Sequence, residues 1–104
     1  MTGGPVQVRD VPAADRYAAE VDGRPAGFVQ YRLRPGTISF LHTEVDPAFA
    51  GRGVGGTLVR GALDDARRRE LAVLPFCPFV DAFIKDHREY VDLVPEALRR
   101  RFGL

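Results

Sequence analysis

Cysteine, lysine and long apolar runs are what this chain has least of. Cys77 is the only cysteine among 104 residues, which excludes an intramolecular disulfide framework and an all-cysteine metal site. No metal is expected. No unbroken apolar run is long enough to cross a bilayer, so no membrane partner is expected. Fifteen basic residues balance fourteen acidic ones for a net charge of +1, so no excess charge exists to attract nucleic acid. The basic runs Arg67-Arg68-Arg69 and Arg99-Arg100-Arg101 lack interleaved aromatics and read as solvated faces. The opening Met1-Thr2-Gly3-Gly4-Pro5 has neither the basic nor the apolar region of a signal peptide, and a cytoplasmic location is the default expectation. The length and an apolar fraction of 45% predict a single domain over residues 1–104.

What is present is orderly. Val6–Arg9 alternates briefly, and Arg16–Val21 is a clearer strand that ends at an Asp22-Gly23 hairpin turn. Arg24–Leu33 forms the next strand, Arg34-Pro35-Gly36 another turn, and Thr37–Val45 a third long strand ended by Asp46-Pro47. Tight turns between these strands predict an antiparallel meander. From Gly53 to about Arg69, apolar residues Val54, Leu58, Ala62, Leu63 and Ala66 recur at helical spacing. Leu71–Leu74 reads as a short, fully buried strand stopped by Pro75, returning parallel to the third strand. A second helix is predicted from Phe79 through Arg88 and a last one over Pro95–Arg101.

The densest signal lies between the third strand and the first helix. Gly51, Gly53, Gly55 and Gly56 crowd the mouth of that helix, although glycine is a poor helix former. A strand, a glycine turn and a helix N-terminus with its unpaired N–H groups suit an anionic group, most often phosphate. The Walker pattern fails for want of a lysine, and the Rossmann fingerprint fails because three antiparallel strands precede the loop.

The order of these features resembles the GNAT family of acyl-CoA-dependent N-acetyltransferases. Val45-Asp46-Pro47 matches that family's strand end, and Ala50-Gly51-Arg52-Gly53-Val54-Gly55-Gly56 matches its pyrophosphate turn, with Ala50 where arginine or glutamine is usual. His42-Thr43-Glu44-Val45, Leu74–Val80 and His87–Tyr90 extend the likeness to a minimal, single-domain, YjdJ-like subgroup. The resemblance implies an α/β (α+β) fold: a mixed, mostly antiparallel sheet, a β-α-β core that binds acetyl-CoA, and flanking helices. It implies coenzyme A as co-substrate, held by the Val45 N–H and by Ala50, Gly51, Arg52, Gly53, Val54, Gly55, Gly56 and Thr57. It also implies acetyl transfer to an amine, on a small molecule, peptide or protein, by a monomer or homodimer.

Acetyl transfer to an amine needs a proton acceptor. His42 and Glu44 lie two apart, on one strand face expected to include Phe40, and either is a candidate base; the alternatives are a Glu44 paired with an arginine and a His42 that is a satisfied core or rim histidine. Cys77 follows the strand that should flank the thioester; it is a candidate nucleophile, a hydrogen-bonding partner of the leaving thiol, or packing. Phe79, Phe83 and Tyr90 read as core, with lining of the pantetheine channel as the alternative, and His87 as a helix C-terminal histidine rather than a base. Two rival readings are a non-catalytic coenzyme A-binding module and a small interaction domain whose glycines serve only packing.

Overall fold

The computed structural model describes residues 4–104; the expectation for Met1–Gly3 lies outside the described residues. Strands β1 (Val6–Val11), β2 (Arg16–Val21), β3 (Arg24–Arg34) and β4 (Thr37–Val45) form an antiparallel meander. Their turns follow from local chemistry. Asp22 and Gly23 both have positive φ, 52° and 76°, the pair of left-handed residues that a tight hairpin matched to strand twist requires. Helix α1 (Val54–Arg68) then leads to β5 (Ala72–Pro75), which pairs parallel to β4 at the sheet edge. Helix α2 (Pro78–Asp86), a 3-10 turn over Arg88–Leu93 and the single-turn α3 (Glu96–Arg99) complete the chain. The fold is the expected α+β arrangement with a five-stranded sheet in the order β1-β2-β3-β4-β5.

The core lies on one face of that sheet. Val54, Leu58, Val59, Ala62, Leu63 and Ala66 are buried along one side of α1, against Tyr17, Val29, Ile38 and Phe40 from the strands. Each fully buried leucine contributes about 1.5–3 kcal/mol relative to exposure. Helix α2 lies beside α1 on the same face: the Phe79 ring sits over Gly55, and Phe83 approaches Gly56. The opposite face of the sheet carries Arg9, Arg16, Phe28, Gln30, His42 and Glu44, all half-buried or exposed, and among the described residues no α-helix packs on them.

Several boundaries differ from expectation for identifiable reasons. Gly53 caps α1 with φ of 71° and is not its first residue. The β5 strand alternates between half-buried and buried positions, because Val73 and Pro75 share the core face with Ile38 and Phe40 while Ala72 and Leu74 turn to the other face. Pro75 does not stop the strand but is its last paired residue, opposite Phe40; an edge tolerates the missing N–H. The second helix ends at Asp86, since His87 has extended φ of −131°. The third is one turn long and continues as a 3-10 turn through Phe102.

A polar cluster ties the C-terminal end of α1 to the sheet. Tyr17 donates to Asp65, Tyr31 donates to Asp10 at 2.7 Å, and Arg69 reaches both carboxylates and the Tyr17 hydroxyl. Burial, then the adjoining carboxylates, push the Tyr17 and Tyr31 phenols well above their ordinary value. Burial alone would raise the Asp65 carboxyl, but hydrogen bonds from Tyr17, Arg68 and Arg69 outweigh it and hold it below the usual carboxylate range. The arginine run of α1 is thus engaged with acids rather than simply solvated; Arg67 pairs with Asp92 at 2.8 Å.

Candidate active site

Strands β4 and β5 part midway along β4. Pro75 faces Phe40, and the Cys77 N–H donates to the Phe40 carbonyl at 2.8 Å. Beyond that bond, residues 41–45 have β3 on one side and no strand on the other. The Asp46 N–H donates to the Ala26 carbonyl at 2.8 Å. Alternation along the strand therefore turns the N–H groups of Val45 and Thr43 away from β3, toward the opening.

The opening coincides with a bulge. Gln30 faces His42 and Tyr31 faces Phe40, so Leu41 has no partner of its own. One extra residue reverses the faces of everything after it. His42 and Glu44 therefore do not share a face with Phe40, as strict alternation predicted. They lie on the helix-free face, opposite Gln30 and Phe28, while Thr43 and Val45, opposite Val29 and Gly27, turn to the helix side. His42 Nε2 and Glu44 Oε2 are 2.9 Å apart, and both side chains are more than half exposed. The Phe28 ring stands edge-on to His42 at 6.2 Å.

Cys77 caps the start of α2 and is 2% exposed. Its Sγ lies 3.2 Å from the Thr43 Oγ1, and no base touches it among the described residues. The three candidate catalytic residues thus do not form one cluster. His42 and Glu44 meet on one side of β4, and Cys77 meets Thr43 on the other. Sequence reasoning passed over Thr43, because only the bulge makes its side chain face the thiol.

The loop leading to α1 begins with an Asp46 carboxylate that accepts from the Ala48 N–H at 2.8 Å. The Ala50 N–H is spent within this turn, on the Pro47 carbonyl at 3.1 Å. Gly51 and Gly53 follow with φ of 78° and 71°, a conformation that favours glycine. The first paired amide of α1 is that of Thr57, bonded to the Gly53 carbonyl at 3.0 Å. Among the described residues, the N–H groups from Gly51 to Gly56 therefore have no protein acceptor, and no acidic residue occupies the first turn. Of the expected contacts, Ala50 and Thr57 have their amides engaged, the Val54 side chain is 2% exposed and anchors the helix start, and the remaining amides are available.

The glycines divide by role. A Cβ on Gly55 would meet the Phe79 ring at 2.6 Å, so helix packing alone accounts for that position. On Gly56 the nearest atom would be 3.9 Å away, and packing does not account for it. Phe79 itself is 45% exposed, not core as expected, because it lies across the helix mouth. Arg52 and Arg24 approach the Phe49 ring beside the loop at 5.4 and 5.3 Å, and neither pairs with an acid among the described residues. Nothing near Arg24 in the sequence signals this; the pairing of β3 with β4 brings it there.

His87 donates from Nδ1 to the Phe83 carbonyl at 2.8 Å and stacks on the Phe83 ring, the satisfied helix-end histidine expected. Among the described residues, no helix is long and apolar enough to cross a membrane. A family model described as GCN5-related N-acetyl-transferase matches residues 16–93, from the start of β2 to the end of the 3-10 turn after α2. No curated protein matches the chain.

Proposed function

This chain belongs to the GCN5-related N-acetyltransferase family, and from that premise we propose that it transfers the acetyl group of acetyl-CoA to an amine. The observation that carries this reading is the opening between β4 and β5 set beside a helix N-terminus with unpartnered amides. The residues fit the co-substrate. Amides from Gly51 to Gly56, with Arg52 and Arg24, offer donors and positive charge for a pyrophosphate without any lysine. Arg24 supplies from a neighbouring hairpin the charge that Ala50 lacks.

When bound, acetyl-CoA supplies an activated acyl carbon with a thiolate leaving group. The Val45 and Thr43 amides face the opening, where they can donate to a carbonyl oxygen that gains negative charge during transfer. The acceptor approaches from the helix-free face. There Glu44, held by His42 at 2.9 Å, takes the proton that the ammonium group must lose, directly or through water. A bond forms from the acceptor nitrogen to the acyl carbon as the carbon–sulfur bond breaks, and the second nitrogen proton passes to the departing thiolate, giving an amide and a free thiol. On the helix side of β4 the Cys77 and Thr43 pair, 3.2 Å apart, would be the group available to hydrogen-bond the departing sulfur. Direct transfer is favoured over a cysteinyl route because Cys77 is buried, touches no base and lies across β4 from His42 and Glu44.

The test is turnover of labelled acetyl-CoA with a panel of amines. Transfer to at least one amine supports the reading. Neither transfer nor thioester hydrolysis, together with measurable coenzyme A binding, would leave a non-catalytic binding module in its place.

A further inference from the structure

The helix-free face carries a cavity of about 510 Å³ whose charged lining comprises Arg9, Arg16, Glu20, Glu44 and Asp46. All but one of these groups are engaged. Arg9 pairs with Glu20 at 3.3 Å, Glu44 with His42, and Asp46 with the Ala48 amide. Arg16 pairs with no acid among the described residues, and its Nε is shielded from solvent without an acceptor. Its guanidinium lies 3.9 Å over the Phe28 ring. The contact with the ring fixes the position of the guanidinium, and none of its N–H groups donates to a protein acceptor among the described residues, so they remain to be paired by a carboxylate. An arginine so oriented beside partnered acids is short of one anion.

Register fixes where that anion would lie. Phe28 faces Glu44 across β3 and β4, with one strand spacing of roughly 5 Å between their backbones, and Arg16, over the Phe28 ring, lines the same cavity as Glu44. One end of the cavity thus offers a cation and the other a carboxylate–imidazole pair. The volume suits a small molecule.

We propose that Arg16, stacked on Phe28, selects a small acceptor that carries a carboxylate a few bonds from its amine, such as a short ω-amino acid. This rests on the acetyl-transfer reading for the fate of the amine, but the recognition of the carboxylate does not require turnover.

Two assays on the full chain separate the claims. Calorimetry compares γ-aminobutyrate with its amide, and β-alanine with β-alaninamide, on wild type, Arg16→Met and Arg16→Lys. The wild type should prefer each acid by roughly tenfold or more, the worth of one charge-assisted pair. In Arg16→Met the preference should fall to near one, with Arg16→Lys between. Equal binding of acid and amide, or a preference that survives Arg16→Met, overturns the proposal. Steady-state transfer to the same pairs should show the same ratios in kcat/KM. Transfer to amide and acid alike would overturn it while sparing the acetyl-transfer reading. Selective binding without transfer would spare it and sink that reading. Sedimentation supplies the remaining check: a dimer that Arg16→Met dissociates would make this face a protein interface and overturn the proposal.

Discussion

The Cys77 amide and the Phe40 carbonyl, 2.8 Å apart, mark the point where the parallel pair of strands comes undone. The next residue on β4, Leu41, is the unpaired one. Opening and bulge therefore coincide, and together they set out the site. Two main-chain amides face the opening, a histidine–glutamate pair turns to the helix-free face, and a cysteine–threonine pair turns to the helices.

The close pairing of β3 with the end of β4 depends on Gly27. A Cβ there would lie 2.6 Å from the Glu44 carbonyl oxygen, a main-chain atom that cannot swing aside. Gly27→Ala should cost about 1–3 kcal/mol of stability by urea denaturation. It should also disturb the segment from Glu44 to Val45. An unchanged midpoint would show that β4 is not held so closely.

Gly53 and Gly56 should respond in opposite senses. Gly53→Ala places a side chain at φ of 71° and should cost about 1–2 kcal/mol. Gly56 is helical, and a Cβ there would meet only the Phe83 ring at an ordinary contact distance of 3.9 Å, so Gly56→Ala should gain up to about 1 kcal/mol in thermal unfolding. If its lack of a side chain serves the ligand, the same variant should nonetheless bind coenzyme A more weakly. A Gly56→Ala protein that is more stable and binds equally well would assign that glycine no part in binding.

The cluster around Asp65 sets both pH limits. The Asp65 carboxyl is depressed in the folded state, so its contribution is present above the unfolded value of about 3.9 and is lost as pH falls below it. The Tyr17 and Tyr31 phenols are raised, so theirs is complete below the unfolded value of about 10 and is lost as pH rises beyond it. Melting temperatures should fall at both extremes. Asp65→Asn should flatten the acid limb, and Tyr31→Phe the alkaline one. Unaltered limbs would remove these groups from the account.

Catalysis should depend on the helix-free face more than on the thiol. Glu44→Gln combined with His42→Ala should lower kcat by roughly a hundredfold, the usual contribution of a positioned base. Cys77→Ser should stay within about tenfold of wild type, keeping a hydrogen-bonding group near Thr43. Intact-mass spectra during turnover should show no acetylated Cys77. An acetyl adduct on Cys77, lost when amine is added, would require the covalent route instead.

Much of this was legible in the chain. The hairpin turns at Asp22-Gly23 and Gly36 mark strand ends, and the apolar spacing from Val54 to Ala66 defines α1, because both are local signals. The glycine cluster was readable for the same reason, but its division was not: only the packed structure shows that Gly55 answers to Phe79 while Gly56 does not. The bulge at Leu41 left no trace in the pattern, so Phe40 was expected beside His42, and Thr43 drew no notice. Arg24 and Arg16 were equally silent. Their roles arise from partners across the sheet, at sequence separations where no periodicity reaches.

Acetyl-CoA should lie with its pyrophosphate on the glycine loop and its thioester in the opening of β4. Titration of the nitrogen-15-labelled protein with acetyl-CoA, followed by amide chemical shifts, tests it most directly. The largest shifts should fall at Gly51, Gly53 and Gly56, with further shifts at Thr43 and Val45. Free coenzyme A should move the loop amides alike but leave Thr43 and Val45 closer to their unliganded positions. Saturation that leaves the loop amides unmoved would contradict it.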